Sequence, residues 1–514
     1  MAQIKKKGKL KILLWTAVIS ITAVAIAQIV FTLKVKTALE QENLENITLI
    51  YGKLSTNVLL GRITLHNLAL QADGGRVDLK SKKVRISGMH YLPLLQNGDI
   101  ILSEATLEEP VLIYRRSEKD TSKNKDNNGP QKKIDIEKFQ IIKGHLEIFQ
   151  EGSDSLWAKM EKINLTLAQF SLDGNTAGRK VPYTLGPYRL NTEGGFYDMG
   201  PWDFLQWQGL QLDSEGGHIQ QLVLRTKYGI GELSQKLATE RDHYDLLIDS
   251  LSINHPVFDP GTSPPMLHLA RVDLYRPIFQ VYRDKLLPDD TTHKKLYNQA
   301  LRDLEMDLRV DTIGISGGSI RYQERLEADV EPESLFFTDI SAKIHNLHSR
   351  GGGMVQVDIA AQLMGDGPLT LDWSFDPANK SNDFVARASL LDFDTRNISP
   401  FLRSNLNSEV RGRIDRLYFT ISGHELESQG EMKMDYDEFE FVVLKKDRLG
   451  VNKLLTAVVN LFAKDGRKDD VDGFRHGMFK AKRRTDKSFF NYLWINMKAG
   501  LVNTITGNGN KEKK

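Results

Sequence analysis

The sequence predicts a mainly β protein, in which one N-terminal transmembrane helix precedes a long antiparallel β-sheet with one inserted helix and a helical C-terminal tail. Three observations support this fold class. An uncharged segment of 22 residues covers 12–33, apolar and polar residues alternate through most of the chain after about residue 45, and one strand–break–strand phrase recurs. Because 514 residues exceed what one compact core usually holds, several domains or one long architecture are expected.

The N-terminal segment has the length and flanking charge of a membrane anchor. Five lysines in residues 1–11 precede "ILLWTAVISITAVAIAQIVFTL" (12–33), which as a helix spans roughly 33 Å, enough to cross a bilayer core. Only two lysines follow closely, so a cytoplasmic N-terminus and a body outside the cytoplasm are predicted. The alternative is a signal peptide cleaved after "AIA" (Ala25–Ala27). The apolar run continues beyond this point, which favours a retained anchor.

Composition divides the rest of the chain. Residues 117–133 lack large apolar side chains and are predicted to be a polar linker between a first β segment, 34–116, and a β body, 134–444. Inside the body, residues 289–308 are predicted to form an inserted amphipathic helix. Residues 445–514 contain two amphipathic patterns around a basic stretch and are predicted to be a helical C-terminal region.

The recurring phrase is centred on a proline. Pro110, Pro256 and Pro277 each have apolar residues at odd offsets before them and at even offsets after them, and Gly144 and Gly318 hold the same place in two further segments. In a regular strand, this change from odd to even offsets would turn the apolar side chains to the other face. A bulge or tight bend at the Pro or Gly shifts the alternation by one residue and keeps them on the same face. The sequence therefore predicts a recurrent bend that keeps one face of the sheet apolar.

An apolar sheet face needs a cover, and the sequence offers few helices to supply one. Either the sheet packs shut as a closed sandwich or barrel core, or the face stays open as an apolar groove. At each candidate position, ordinary core packing remains the alternative to a role in ligand binding. The candidate groove residues flank the three prolines: Leu107, Leu112, Ile253, Phe258, Leu274 and Phe279.

Several functional classes lack support in the sequence. The 69 Lys and Arg nearly balance the 67 Asp and Glu, which gives no basic field for nucleic acid. The chain has no cysteine, which excludes disulfides, thiolate metal sites and a cysteine nucleophile. No phosphate-binding, dinucleotide-binding, nucleophile-elbow or zinc-protease motif is present. His345 and His348 are three apart on a predicted strand and so point to opposite faces. The sequence predicts neither an enzyme nor a bound metal or cofactor.

The C-terminal helical pattern combines aromatic and basic residues. One interpretation is a helix on a membrane surface, with aromatics at headgroup level and cations on anionic lipid. The other is a helix that caps the end of the sheet and carries a solvated basic face. The candidates for membrane contact are Lys482, Arg483, Arg484, Phe489, Phe490 and Trp494.

The order of these parts resembles the AsmA-like proteins of bacterial envelopes, a superfamily that includes TamB and is related to the chorein-type bridge-like lipid transfer proteins. The resemblance runs from about Lys5 to about Gly507. It rests on the basic tail and apolar helix, "YGKLSTNVLLGRITLHNLAL", "ISGMHYLPLLQNGDIILSEATLEEPVLIYRR" and "GGGMVQVDIAAQLMGDGPLTLDWSFDPANKSNDFVARASL". It implies an elongated, twisted, taco-like β-sheet that encloses an apolar groove.

The same resemblance implies a function without covalent chemistry. The protein is expected to be a single-pass inner-membrane protein with a periplasmic body that binds or conducts phospholipid, or another acyl lipid, between the inner and outer membranes. The alternative is a non-enzymatic scaffold or assembly factor that holds outer-membrane proteins by strand addition at its sheet edges. Co-purified phospholipid would favour the first function, and a co-purified outer-membrane protein the second.

Overall fold

The predicted tail (1–11), the predicted transmembrane helix (12–33) and all but the two end residues of the predicted linker lie outside the described residues. In the part of the chain that is described, no helix is long and apolar enough to cross a membrane. The computed structural model describes residues 47–57, 60–117, 133–173, 183–444 and 473–506.

The mainly β prediction is confirmed, because 63% of the structure is strand and 13% is helical. The 23 strands of the described residues form one mixed sheet. The chain divides into two compact units, each with its own hydrophobic core. The first unit is drawn from Ala2–Val223 and Ser252–Leu267, and the second from Leu224–Leu251 and His268–Lys514.

Strands of the first unit range from 2 to 17 residues in length. Their bounds are β1 Ile47–Ile50, β2 Lys53–Asn57, β3 Arg62–Ala72, β4 Val77–Ser87, β5 Ile100–Arg115, β6 Ile134–Phe149, β7 Leu156–Leu172, β8 Thr184–Leu185, β9 Tyr188–Thr192, β10 Gly194–Asp198, β11 Asp203–Trp207 and β12 Gly209–Asp213. Three strands contain residues of both units: β13 Gly216–Thr226, β14 Asp242–Asp259 and β15 Met266–Asp284.

The second unit holds the strands at the C-terminal end of the described chain. Their bounds are β16 Asp307–Arg325, β17 Ser334–His348, β18 Val355–Leu363, β19 Gly367–Phe375, β20 Phe384–Asp394, β21 Ser408–Gly423, β22 Glu427–Val443 and β23 Arg475–Lys482. The helices of the described residues are α1 Tyr91–Gln96, α2 Ile230–Lys236, α3 Tyr297–Arg302, α4 Ser399–Leu406 and α5 Phe489–Thr506.

Strand β5 runs parallel to β6, with Ile100 opposite Ile134 and Arg115 opposite Phe149. Its other neighbour, β4, is antiparallel, and so is the pairing of β6 with β7. The prediction of a purely antiparallel sheet is therefore wrong. Parallel neighbours need a crossover connection, and residues 116–133 make it. The polar segment predicted as a linker between domains thus joins two adjacent strands of one compact unit.

The second unit repeats this parallel pairing between β15 and β16. At one end His268 lies 3.6 Å from Asp307, and at the other the Lys285 amide donates to the Arg325 carbonyl at 2.9 Å. Residue numbers therefore rise in the same direction along both strands, which defines a parallel pair. The strands that follow, from β16 to β23, pair antiparallel in sequence order.

The crossover between β15 and β16 contains the predicted inserted helix, but the helix is shorter than expected. Only α3, Tyr297–Arg302, is helical within the predicted range 289–308. Before it, the Asp290 carboxylate accepts the Thr292 amide at 2.9 Å, a local turn that competes with helical hydrogen bonding. Leu296, only 2% exposed, fixes the start of the helix in the core of the second unit.

The C-terminal region is only partly helical. Its basic stretch contains the edge strand β23, in which Gly477, Phe479 and Ala481 are buried and the residues between them are exposed. This alternation has the period of a strand, which the basic charge of the segment obscured in the sequence. The second predicted helix is confirmed as α5. The first amphipathic pattern, residues 450–466, lies outside the described residues.

The predicted recurrent bend is confirmed. In every one of the five phrases, the residue directly before the Pro or Gly has a left-handed φ, which is the backbone of a bulge. The strand pairings shift in register at Gly144 and at Gly318. The left-handed residues are Glu109 (φ 50°), Lys143 (55°), His255 (46°), Arg276 (47°) and Gly317 (64°).

Each unit places a proline of one strand against a glycine of its parallel neighbour. A Cβ added to Gly144 would lie 3.4 Å from Pro110 Cγ, and one added to Gly318 would lie 3.1 Å from Pro277 Cγ. At Gly318 the facing proline is itself the tight contact, whereas at Gly144 a Cβ would also lie 2.6 Å from Ile141 Cγ2 of the same bulged strand, so both positions favour glycine. Four of the five phrases therefore belong to a bulged, parallel strand pair that both units contain, and the Pro256 phrase shares the left-handed residue, His255.

The outward side of this motif carries an ion pair in both units, with the charges exchanged. Lys82 Nζ lies 2.8 Å from Glu109 Oε1 in the first unit, and Arg276 Nη2 lies 2.5 Å from Asp249 Oδ2 in the second. All four side chains lie at or beside the bulge. Charged residues at these sites keep the outer face soluble while the inner face stays apolar.

Replacing Arg276 tests the left-handed backbone. We expect Arg276→Gly to change the free energy of unfolding by less than about 1 kcal/mol. Relief of the left-handed strain at residue 276 roughly offsets two losses: the entropy that glycine adds to the unfolded chain and the ion pair of the exposed Arg276 with Asp249. Arg276→Val, with a β-branched residue at the same φ, should destabilise by about 2 kcal/mol. Urea denaturation of both variants measures this. Equal losses for the two would contradict the assigned strain.

Candidate functional site

The first-unit groove candidates lie in a closed core. Leu107 is fully buried and Leu112 is 7% exposed. Leu107 faces Val84 on one side and Ile141 on the other, and all of them belong to one buried cluster. Around Pro110 the recurrent apolar face is packed shut, so the two leucines predicted to line an open groove lie in a closed core.

The second unit leaves the same positions partly open. Leu274 and Phe279 stand at the same offsets from Pro277 as Leu107 and Leu112 do from Pro110, yet both are only half-buried. Among the second-unit residues of β14 and β15, Ile248 is the one hydrophobic side chain that is buried. The phrase around Pro110 thus lies in a closed core, whereas the same phrase around Pro277 has an accessible apolar face.

The neighbouring strand shows the same contrast. Ile320 follows Gly318 by two residues, as Leu146 follows Gly144. Leu146 is 2% exposed, whereas Ile320 is 39% exposed. The difference lies in what packs above the strands and not in the residue types.

An aromatic pair adds to this accessible face. The rings of Tyr244 and Phe279 stack with their centroids 5.9 Å apart, so both side chains lie on one side of the sheet. Their neighbours on the same apolar face are Leu274 and Ile320. We define the open face of the second unit by these four residues: Tyr244, Leu274, Phe279 and Ile320.

Charged groups border the open face at one end. Arg283 is four strand positions beyond Phe279 and therefore points to the same side. Its guanidinium donates two hydrogen bonds to the Asp242 carboxylate, at 2.6 and 2.7 Å, and Tyr244 donates to the same carboxylate at 3.2 Å. Bidentate pairs of this kind are strong and well oriented. The site is thus amphipathic, with an apolar stretch and a charged border.

The arginine and tyrosine side chains of this border each keep one protonation state at physiological pH. Burial opposes the charge of Arg283, but the hydrogen bond to Asp242 outweighs it and raises the pKa of the guanidinium. Burial, reinforced by the Asp242 carboxylate, raises the pKa of Tyr244, and burial beside Glu324 raises the pKa of Tyr322. Both phenols are therefore neutral at physiological pH and act as hydrogen-bond donors.

The two remaining groove candidates belong to the first unit. Ile253 is half-buried and Phe258 is 42% exposed. They lie on either side of His255, the left-handed residue whose amide donates to the Glu215 carbonyl at 2.8 Å. Neither is part of the buried cluster of that unit.

A polar cleft on the first unit has different chemistry. Its volume is about 300 Å³, and amide and charged side chains dominate its lining, with Leu210 as the one large apolar residue. Lys162 and Glu193 form an ion pair at its rim. Such a lining does not suit an acyl chain.

Two of the six C-terminal candidates for membrane contact are buried. The Arg483 side chain is fully buried and donates to Glu425 Oε1 at 2.6 Å. Phe489 is 6% exposed and stacks on Trp373 with centroids 4.8 Å apart. For these residues the capping interpretation of the helix is correct, because α5 closes the core of the second unit over β22 and β23.

The other four candidates differ in exposure. Lys482 and Arg484 are exposed, although Arg484 pairs with Asp486 at 2.9 Å. Phe490 is 68% exposed. Trp494 is half-buried against the small cluster that contains Phe401. These side chains do not form one continuous aromatic and basic surface.

No protein-family model matches the chain, and no curated protein matches it. Within the described ranges, no group of three or more histidine and acidic side chains is placed to hold a metal ion.

Sequence reasoning missed the charged border of the open face. Arg283 lies 41 residues after Asp242 in the chain, and neither it nor the nearby Asp242 and Tyr244 belong to a motif. One signal was available, because Arg283 continues the alternation of Phe279 and Val281, which puts a charge in an apolar register.

Proposed function

We propose that the chain is a membrane-anchored, periplasmic AsmA-like protein, held in the inner membrane by residues 12–33, whose second unit binds the acyl chains of phospholipid on its open face. One observation carries this proposal. The positions around Pro110 are buried in the first unit, whereas the equivalent positions around Pro277 and Gly318 in the second unit are half-buried or exposed. An accessible apolar face inside an ordered sheet is costly in water unless a ligand or partner covers it.

The energetics fit an acyl chain. Each methylene removed from water contributes about 0.8 kcal/mol, so a chain lying along Leu274, Phe279 and Ile320 gains several kcal/mol without any polar contact. At the border, the Arg283 guanidinium has N–H groups beyond the two that bind Asp242, close to where such a chain would end, whereas the hydroxyl protons of Tyr244 and Tyr322 are donated to Asp242 and Glu324. Binding and release then need no covalent step, and the protein acts as a carrier or conduit between the inner and outer membranes.

Lipid mass spectrometry on the purified chain tests the proposal. We expect phospholipid to co-purify and to be lost in the double variant Leu274→Asp, Phe279→Asp. The matched control is Tyr275→Asp, Ile278→Asp, which changes exposed residues (51% and 42%) of the same strand on the opposite side. Equal retention of lipid by both variants, or no lipid in the unmodified chain, would overturn the proposal.

The scaffold function is supported by a different observation. All five residues of β2 are exposed, and in the described part of the chain β2 pairs only with β3. A free strand edge is a template for strand addition. At the opposite edge, by contrast, Asn503 of α5 donates to the Met478 carbonyl of β23 at 2.7 Å and blocks the strand. This second function would be favoured if an outer-membrane protein co-purified with the chain and was lost when a residue of β2 was replaced by proline.

A further inference from the structure

An exposed apolar surface lies at one end of the first unit. Leu60 is 53% exposed, Tyr91 41% and Leu92 65%. Leu60 precedes β3, whereas Tyr91 and Leu92 open the short helix α1 between β4 and β5. We call these three residues the apolar tip.

The apolar tip is held rigidly. The Gly88 amide donates to the Leu60 carbonyl and the Met89 amide to the Gly61 carbonyl, both at 3.2 Å. Gly61 has a left-handed φ of 52°, and a Cβ there would lie 2.5 Å from the Met89 nitrogen, so only glycine fits. This contact fixes the loop that carries Leu60 against the segment that leads into α1.

The helix is anchored from beneath. Leu94 is 7% exposed and belongs to the core of the first unit. The Pro93 carbonyl accepts the amides of Asn97 and Asp99, at 3.0 and 3.2 Å, which closes the end of the helix. With Leu94 turned inward, Leu92 is held outward in a folded segment, so its exposure does not arise from a frayed end.

The length of the preceding chain brings a bilayer within reach. If residues 12–33 are the anchor, as proposed above, 13 residues (34–46) connect it to β1. β1 begins opposite Ala72, at the far end of β3 from the apolar tip. The 11 residues of β3 span roughly 35 Å, whereas 13 extended residues reach about 43 Å. The connection is therefore long enough for the tip to touch the membrane that holds the anchor.

We propose that the apolar tip docks on the surface of the lipid bilayer in which the N-terminal segment is anchored. Leucine side chains enter the acyl boundary and Tyr91 lies at headgroup level, the depth at which its ring and hydroxyl are both satisfied. The exposed Arg62, directly after the loop, adds positive charge for anionic headgroups. Docking at a second point orients the first unit on the membrane, which one point of attachment cannot do.

The absence of cysteine from the chain allows a clean test. The full chain is reconstituted in nanodiscs of phosphatidylethanolamine and phosphatidylglycerol, with a polarity-sensitive fluorophore on Leu92→Cys or on Leu60→Cys. The matched control is Leu426→Cys, since Leu426 is 60% exposed and lies in the second unit. We expect lipids that carry a quencher near the headgroup to quench the two tip labels several-fold more than the control, and aqueous iodide to quench them less.

Two outcomes would overturn the docking. Tip labels as accessible to iodide as the Leu426 control would mean that the tip stays in water. If the emission of the tip labels is blue-shifted but lipid quenchers do not quench it, a protein surface covers the tip.

Retention of the chain in alkaline-washed membranes tests the anchor, and co-purified lipid tests the lipid-binding function. A failure of docking is therefore distinguishable from a failure of the proposed function.

Discussion

Leu107→Ala is expected to lower the free energy of unfolding of the first unit by 2–5 kcal/mol, on the order of other fully buried leucine truncations. Leu107 is fully buried between Val84 and Ile141, and the close-packed strands around it leave little room to collapse into the cavity. The equivalent substitution Leu274→Ala in the second unit should cost about 1 kcal/mol, because that side chain is already partly accessible.

Hydrogen exchange under increasing urea measures both values, through peptides of β5 for Leu107 and of β15 for Leu274. Delipidated protein is used so that no ligand supplies contacts to Leu274. The two leucines hold the same place in the same motif, so each controls for the other. Similar costs at both sites would mean that the second-unit face is as closed as the first, and the proposed open face would be lost with it.

Glu240→Gln is expected to destabilise the second unit by about 3 kcal/mol, because it removes the carboxylate that pairs with buried Lys487 and half-buried Lys285, although Lys487 retains Asp289 at 3.0 Å. Glu240 is 4% exposed at its side chain and lies 2.8 Å from Lys487 Nζ, which is itself 7% exposed. Lys285 pairs with the same carboxylate. The control Glu232→Gln removes one member of an exposed pair with Lys236 and should change stability by well under 1 kcal/mol.

The same network predicts a pH dependence. Burial opposes the ionisation of Glu240, but hydrogen bonds from Lys285 and Lys487 outweigh it and lower the pKa of the carboxyl. Its contribution is therefore present above the pKa of the unfolded chain and is lost as the pH falls through the folded value. Urea midpoints between neutral and acid pH should fall less steeply for Glu240→Gln than for the unmodified chain. Parallel slopes would show that Glu240 does not carry the acid sensitivity.

Strand class and bulge position were readable from the sequence because both are local. Alternation around Val355, Val357 and Ile359 marks a strand with one buried face, and the phase change at Pro110 or Gly318 marks a bulge. The parallel pairs were not readable in this way. Whether β5 meets β6 in parallel depends on the path of the crossover between them, and a polar segment such as 117–133 has the composition of any solvated loop.

Period, proline and glycine act within a few residues, so the sequence alone was enough to predict a two-faced sheet with a recurrent bulged motif. It did not reveal which copy of the motif is closed. Leu107 and Leu274 stand at the same offset from Pro110 and Pro277, yet one is buried and the other accessible. Burial depends on what packs above a strand, and those contacts come from residues distant in the chain. The period of the sequence shows which face of a strand is apolar, but it does not show which residues pack over that face.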